Sequence, residues 1–241
     1  MSTAPMAFDL DATMRRASAA LAKMDYLACE SLCVEALAVT RQARQWAQYA
    51  RVLLPLQEAR RHRRMIAAEG TLRLGSASLA GAPADWLDDL APGCIVLTRP
   101  HTAEEAHALV QVSRQRQLFV EVLWADSAVG DDTWQLRSFE GPKVHLACGA
   151  PPRDWRDRFV HSDPGGQSYA PHPVSPALRP ADWFIDATEA LGQAALANVR
   201  QPPDTVACLE ALEECLHVFA DHEIIHQRLG DLARNLARRV S

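Results

Sequence analysis

Apolar residues in the first third of the chain recur every three to four positions, the period of a helix with one buried face. Met14, Ala17, Leu21 and Met24 make one such stripe. After a break at Asp25-Tyr26, a second follows through Cys29, Leu32, Cys33, Ala36, Leu37 and Thr40. A third runs from about Gln45 to Ala68 with Trp46, Tyr49, Ala50, Leu53 and Leu54 apolar. Pro55 should kink or split that helix, since proline removes one backbone bond and clashes with the preceding turn. Gly70 is placed to stop it. Three more stripes close the chain: Phe184/Ala187/Leu191/Ala195, Leu209/Leu212/Leu216/Phe219 and Ile225/Leu229/Leu232/Leu236. They predict helices near 182–199, 204–219 and 222–239, with Asp182, Asp204 and Asp221 as N-caps.

The period changes in between. Cys94 to Thr98 is a short apolar run after Pro92-Gly93, the pattern of a buried strand. Thr102-Ala103-Glu104-Glu105 has the form of a capping box, and a helix with Ala106, Leu109, Val110 and Ser113 inward follows to about Gln117. Leu118 to Trp124 reads as a second strand, completing a βαβ unit whose strands lie parallel. Thr133 to Phe139 and Lys143 to Ala147 alternate around Glu140-Gly141, predicting an antiparallel hairpin. Residues 149–180 hold seven of the fifteen prolines and little periodicity, as a lid or a linker would, with Trp155, Phe159 and Tyr169 as anchors.

The expected fold is therefore mixed α and β. A helical N-terminal hairpin or bundle spans 1–69 and a small βαβ-plus-hairpin sheet spans 70–148. A Pro-rich loop or linker covers 149–180, and a three-helix part covers 181–241.

Composition adds limits. With 48% hydrophobic and 23% charged residues the chain has an ordinary globular balance. No apolar run nears the ~20 residues that span a bilayer. Met1 to Asp11 lacks the basic and apolar regions of a signal peptide, so a cytoplasmic location is expected. Six cysteines without a CxxC pair fall mostly in apolar patterns, and reduced core thiols are expected. Charge is uneven: Lys/Arg against Asp/Glu number ten to seven in 1–69, ten to thirteen in 70–180 and five to ten in 181–241. A basic start and an acidic end can attract each other within one chain or between copies.

Asp25-Tyr26 followed by Cys29, Cys33 and Ala36-Leu37 resembles the second half of a tetratricopeptide repeat, and Ala17 and Ala20 stand where its first helix uses small residues. The family's turn glycine is Met24 here, and its closing proline is absent near Arg41. The likeness covers about one repeat. A fainter echo lies in Asp204, Cys208, Leu212 and Cys215-Leu216, with Leu191-Gly192 and Leu229-Gly230 like the Leu-Gly of a first helix. The resemblance implies helices that nest in each other's grooves and bind a protein partner or another copy. Tyr26, Trp46, Tyr49, Arg60, Arg61, Arg63 and Arg64 are the candidate interaction surface.

His222-Glu223-Ile224-Ile225-His226 is a literal HExxH. On a helix its histidines share a face, and the motif resembles the zinc-peptidase signature. That likeness implies His222 and His226 as zinc ligands and Glu223 as general base. Downstream only Asp231 could ligate, five residues on and off that face, so a third ligand would come from upstream: His217, Glu213 or Glu214. The alternative is packing, with His222 continuing the Ile225/Leu229 stripe and Glu223 favoured by the positive helix start.

The basic run Arg60 to Arg64 could grip phosphates, yet it lacks a glycine loop or nearby aromatics, and the chain is acidic overall, so nothing calls for nucleic acid. Asp126 follows a parallel strand, where α/β proteins place ligands, and Arg99, Asp131 and Asp132 can gather there. Three functions stay open: a non-catalytic interaction or scaffolding protein, a zinc-dependent hydrolase, and a small-ligand sensor at the sheet edge.

Overall fold

A computed structural model describes residues 8–75, 87, 91–128, 130–151 and 180–240 of the chain. The fold is mixed α and β, with seven helices and a five-stranded sheet among these residues. The chain divides into two compact units that interleave along the sequence. The first comprises 1–63, 201–213 and 223–241, and the second 64–200 and 214–222. The N-terminal and C-terminal helical segments thus both contribute to the first unit.

In the first unit, α1 (Leu10–Ala22) and α2 (Tyr26–Gln42) form a helical hairpin. Asp9 caps α1 by accepting from the Ala12 N–H at 2.9 Å, and Asp25 caps α2 through the Ala28 N–H at 3.2 Å. Met24 closes α1 in the left-handed conformation at φ 61, and Arg44 closes α2 at φ 52. The N–H of the residue after each returns to a carbonyl of the last turn, Asp25 to Ala20 and Gln45 to Thr40, both at 2.9 Å. The core is built from small side chains: Met14, Ala17, Ala20, Cys29, Cys33 and Ala36 meet Val52, Leu56 and Ala59 of α3. Helix α3 (Trp46–Glu69) runs as one helix through Pro55, where a kink or a split was expected. The carbonyl deprived of its donor belongs to Arg51, an exposed residue, so water can satisfy it.

In the second unit the strand order is β1 (Thr71–Gly75), β2 (Gly93–Thr98), β3 (Val120–Ala125), β4 (Thr133–Arg137) and β5 (His145–Gly149). The first three are parallel, and β3–β4 and β4–β5 are antiparallel. The βαβ unit and the hairpin lie where expected. β1 is an added edge strand that the sequence pattern did not reveal. Strand β2 is buried throughout, as a strand covered on both faces should be. Helix α4 (Ala103–Gln115) covers one face, placing Ala106, Leu109 and Val110 against Ile95, Leu97, Val120 and Val122. Helix α5 (Pro180–Ala197) packs on β4 and β5; Trp183 meets Trp134 edge-on at 5.8 Å, and its indole donates to the Gly149 carbonyl at 3.1 Å. The loop expected over 149–180, with Trp155, Phe159 and Tyr169, lies almost wholly outside the described residues.

The last helices are α6 (Val206–Val218) and α7 (Glu223–Val240). All three expected caps are corrected. Asp182 lies inside the first turn of α5, which begins at Pro180. Thr205, not Asp204, caps α6, its hydroxyl accepting from the Cys208 N–H at 3.1 Å. Asp204 stands in the left-handed region and accepts from Asn235 and Arg239 of α7. Asp221 lies two residues ahead of α7 and is occupied elsewhere, as described below. All six cysteines are free thiols, four of them buried. No helix among the described residues is long and apolar enough to cross a membrane.

Candidate functional site

The residues expected on an interaction surface are mostly drawn inward. Trp46 and Tyr49 are 5% and 2% exposed and meet edge to face at 6.3 Å. The Arg41 guanidinium lies over the Trp46 ring at 5.4 Å and forks onto Glu213, while reaching Glu210 at 2.8 Å. The Tyr49 hydroxyl donates to Glu213 at 2.8 Å, and burial together with that carboxylate pushes the phenol well above its ordinary range. The acidic end of the chain is therefore met by the basic start within one unit.

The basic run follows the same logic. Arg63 continues the buried stripe of Val52, Leu56 and Ala59 and is itself buried. Arg60 and Arg63 each take one oxygen of Glu30, at 2.8 and 2.7 Å. Burial opposes the Glu30 charge, but the two guanidinium groups win and hold its carboxyl below the usual range. Tyr26 is half-buried and stacks on His62 at 4.6 Å. Arg61 is exposed, 3.6 Å from Glu58. Arg64 belongs to the second unit, bonding Glu189 and lying 2.7 Å from Asp221.

That last pair explains half of the HExxH motif. His222 is 2% exposed, with Nε2 3.4 Å from Glu189. Its ring rests on Gly192 of α5, where a Cβ would come within 2.1 Å of the imidazole Cδ2. His226 is equally buried, one turn into α7 and in the first unit. Glu223 faces solvent and accepts from Gln227 at 2.8 Å, one turn further along. Among the described residues no three His, Cys, Asp or Glu side chains gather where they could hold a metal ion, and His217 pairs with Glu140 instead. Glu213 is occupied by Arg41 and Tyr49, and Asp231 pairs with Arg234.

An open groove of about 660 Å³ lies at the carboxyl ends of β2 and β3, lined by Arg99 to Glu104, Trp124 and Asp126. The βαβ connection builds it: β2 ends at Thr98, the chain crosses the sheet end, and α4 starts at Ala103. The Asp126 carboxylate bridges two guanidinium groups, Arg99 Nε at 2.7 Å and Arg137 at 2.8 Å. The bond from Arg99 leads in holding its carboxyl below the ordinary range, so it is ionised at neutral pH. The Trp124 indole donates to the His101 carbonyl at 3.3 Å, which fixes the ring at the groove wall. Thr102 and Glu105 form a complete capping box: the Thr102 N–H gives to the Glu105 carboxylate at 2.8 Å and the Glu105 N–H to the Thr102 hydroxyl at 3.3 Å.

Arg99 and Asp126 were expected at this edge, and the structure joins them. Asp131 and Asp132 are not among the lining residues. Trp124, Pro100, His101 and Glu104 were missed as site residues, although the strand-to-helix crossover is where a sheet of this kind admits ligands. The groove presents charges and an aromatic face but no thiol. Cys94, Cys148, Cys208 and Cys215 are all raised by burial, Cys215 to about 11, which leaves them poor nucleophiles.

No family model matches this chain, and no curated protein or solved structure matches it.

Proposed function

We propose that the protein is a non-catalytic binding protein whose α/β unit takes a small polar ligand in the groove beside Trp124 and Asp126. The observation that carries this reading is the groove's position, at the carboxyl ends of parallel strands where the chain crosses into a helix. The ionised Asp126, fixed between two arginines, suits recognition better than proton transfer. Free thiols throughout fit a reducing, cytoplasmic setting.

The test is a thermal-shift screen with amino acids, nucleotides, sugars and organic acids. A ligand present at one hundred times its Kd adds about 2.7 kcal/mol of stability, or roughly 5–10 °C for a chain of this size. The shift should vanish in Arg99→Gln. No shift with any class would count against the groove.

The helical unit supports a second reading, as a tetratricopeptide-like surface for a protein partner or another copy. Val34 of α2 and Leu54 of α3 are exposed apolar side chains, Leu54 at 66%. Sedimentation over a range of concentrations tests the self-association arm: mass that rises with concentration in the wild type should be lost in Leu54→Ser, and a mass fixed at one chain would end it.

A further inference from the structure

We infer that Cys29 and Cys33, in the first unit, form a two-coordinate site for a soft monovalent cation of the copper(I) class. The reading of the groove does not enter this inference. The two residues stand one helical turn apart on α2, so their side chains share a face. Both are fully buried, among Ala17, Ala20 and Ala36 of the helical hairpin and Leu56 and Ala59 of α3. The Cys33 thiol donates to the Cys29 sulfur, and the Cys29 thiol lies 3.8 Å from the Pro55 carbonyl. The first of these contacts draws Cys29 below the ordinary thiol range and, with burial, pushes Cys33 far above it. Cys29 is the one thiol of the six drawn downward.

Two sulfurs in contact can share a proton, a covalent bond or a metal ion. Helix geometry opposes the bond: Cβ atoms at i and i+4 lie about 5–6 Å apart, against about 3.5–4.5 Å across a disulfide. An ion lying between the sulfurs, where the Cys33 proton now lies, does not require that gap to close. Zinc is excluded by ligand count, since it takes four ligands and no three His, Cys, Asp or Glu side chains gather among the described residues. Glu30, next in the chain to Cys29, has its two oxygens on Arg60 and Arg63. Calcium and magnesium require oxygen ligands. Two thiolates without a third donor suit the softest ion. Binding releases both thiol protons to solvent and leaves one net negative charge on the complex, which the Arg60 guanidinium favours as it already favours a thiolate at Cys33. The ion reaches the sulfurs when the hairpin opens, and α1 closes over them largely through the small side chains of Ala17 and Ala20.

The experiment is an anaerobic titration of the reduced full chain with copper(I) held by the chromophoric chelator bicinchoninate. One equivalent should pass from the chelator to the wild type, and copper X-ray absorption should show two sulfur neighbours. Cys29→Ala and Cys33→Ala should each lose that equivalent, while Cys208→Ala, at a half-buried position, keeps it. Copper(I) is diamagnetic, so ¹⁵N amide shifts locate the site without any variant. The amides of Cys29, Cys33 and the turn between them should move, and those of Cys208 and Cys215 should stay in place. No copper taken from the chelator overturns the site. So does uptake that survives in both alanine variants, a shell of three or more sulfurs or of nitrogen and oxygen, or shifts that gather at Cys208 and Cys215.

Discussion

Replacing Gly192 by alanine would put a methyl group into the ring of His222. The new Cβ would lie 2.1 Å from Cδ2, 2.8 Å from Cγ and 2.9 Å from Nε2, well inside van der Waals contact. The ring has little room to retreat, being 2% exposed and held near Glu189. Overpacking of this kind costs about 1–3 kcal/mol. Alanine returns about 1 kcal/mol of helix propensity in the body of α5, so the net loss should be at most about 2 kcal/mol. For a chain of this length that lowers Tm by up to about 8 °C. The informative step is the same change in a His222→Ala background. With the ring gone the methyl group has space, only the propensity gain remains, and Gly192→Ala should become stabilising by up to about 1 kcal/mol. Urea midpoints for the four proteins of this cycle give the coupling directly. If Gly192→Ala has the same effect in both backgrounds, the His222 ring does not rest on α5, and the packing account of the HExxH motif loses its basis.

Further outcomes follow from the same geometry. Glu30→Gln should cost about 3 kcal/mol at neutral pH by breaking a buried carboxylate–diarginine contact. Because the folded pKa is depressed, the wild-type contribution is present above the ordinary carboxylate range and fades as pH falls through the lowered value. Urea midpoints against pH should therefore converge for the two proteins in strong acid, and a gap that stays constant would refute the ion pair. Met24→Gly relieves a left-handed residue at φ 61 that is 71% exposed, and should raise stability by about 0.5–1 kcal/mol, read as Tm; a fall would mean that the Met24 side chain contributes packing. After incubation with zinc and desalting, elemental analysis should find the wild type and His226→Ala alike and below one equivalent. A full equivalent lost in the variant would restore the hydrolase reading.

The β2–α4–β3 unit was legible because its signals are local: a continuous apolar run, a Thr-x-x-Glu box and a second run at crossover distance. The box is present with both of its bonds. β1 was not legible, since Leu72 and Leu74 carry its apolar pattern, immediately after a helix stop. The arginine run shows the limit of composition. Its density is plain in the sequence, but its direction follows from helix phase, which puts Arg63 on the stripe of Leu56 and Ala59. Its acceptors lie far off in the chain, Glu30 at 30 residues from Arg60 and Glu189 at 125 from Arg64. Asp221 misled as a cap for the same reason, because its partner Arg64 is a long-range one. At the groove, Arg99 and Asp126 could be placed by topology. Trp124 and Glu104 could not, because nothing in a strand-ending tryptophan or a first-turn glutamate distinguishes a site wall from ordinary packing and capping.

The measurement that bears most directly on the account is the indole N–H spectrum of the ¹⁵N-labelled protein during titration with the ligand panel. A bound ligand should move the Trp124 indole resonance and the backbone amides of Thr102 and Asp126, and leave the buried Trp46 indole in place. Shifts that avoid these groups, or that gather around His222 and His226 when zinc is added, would contradict it.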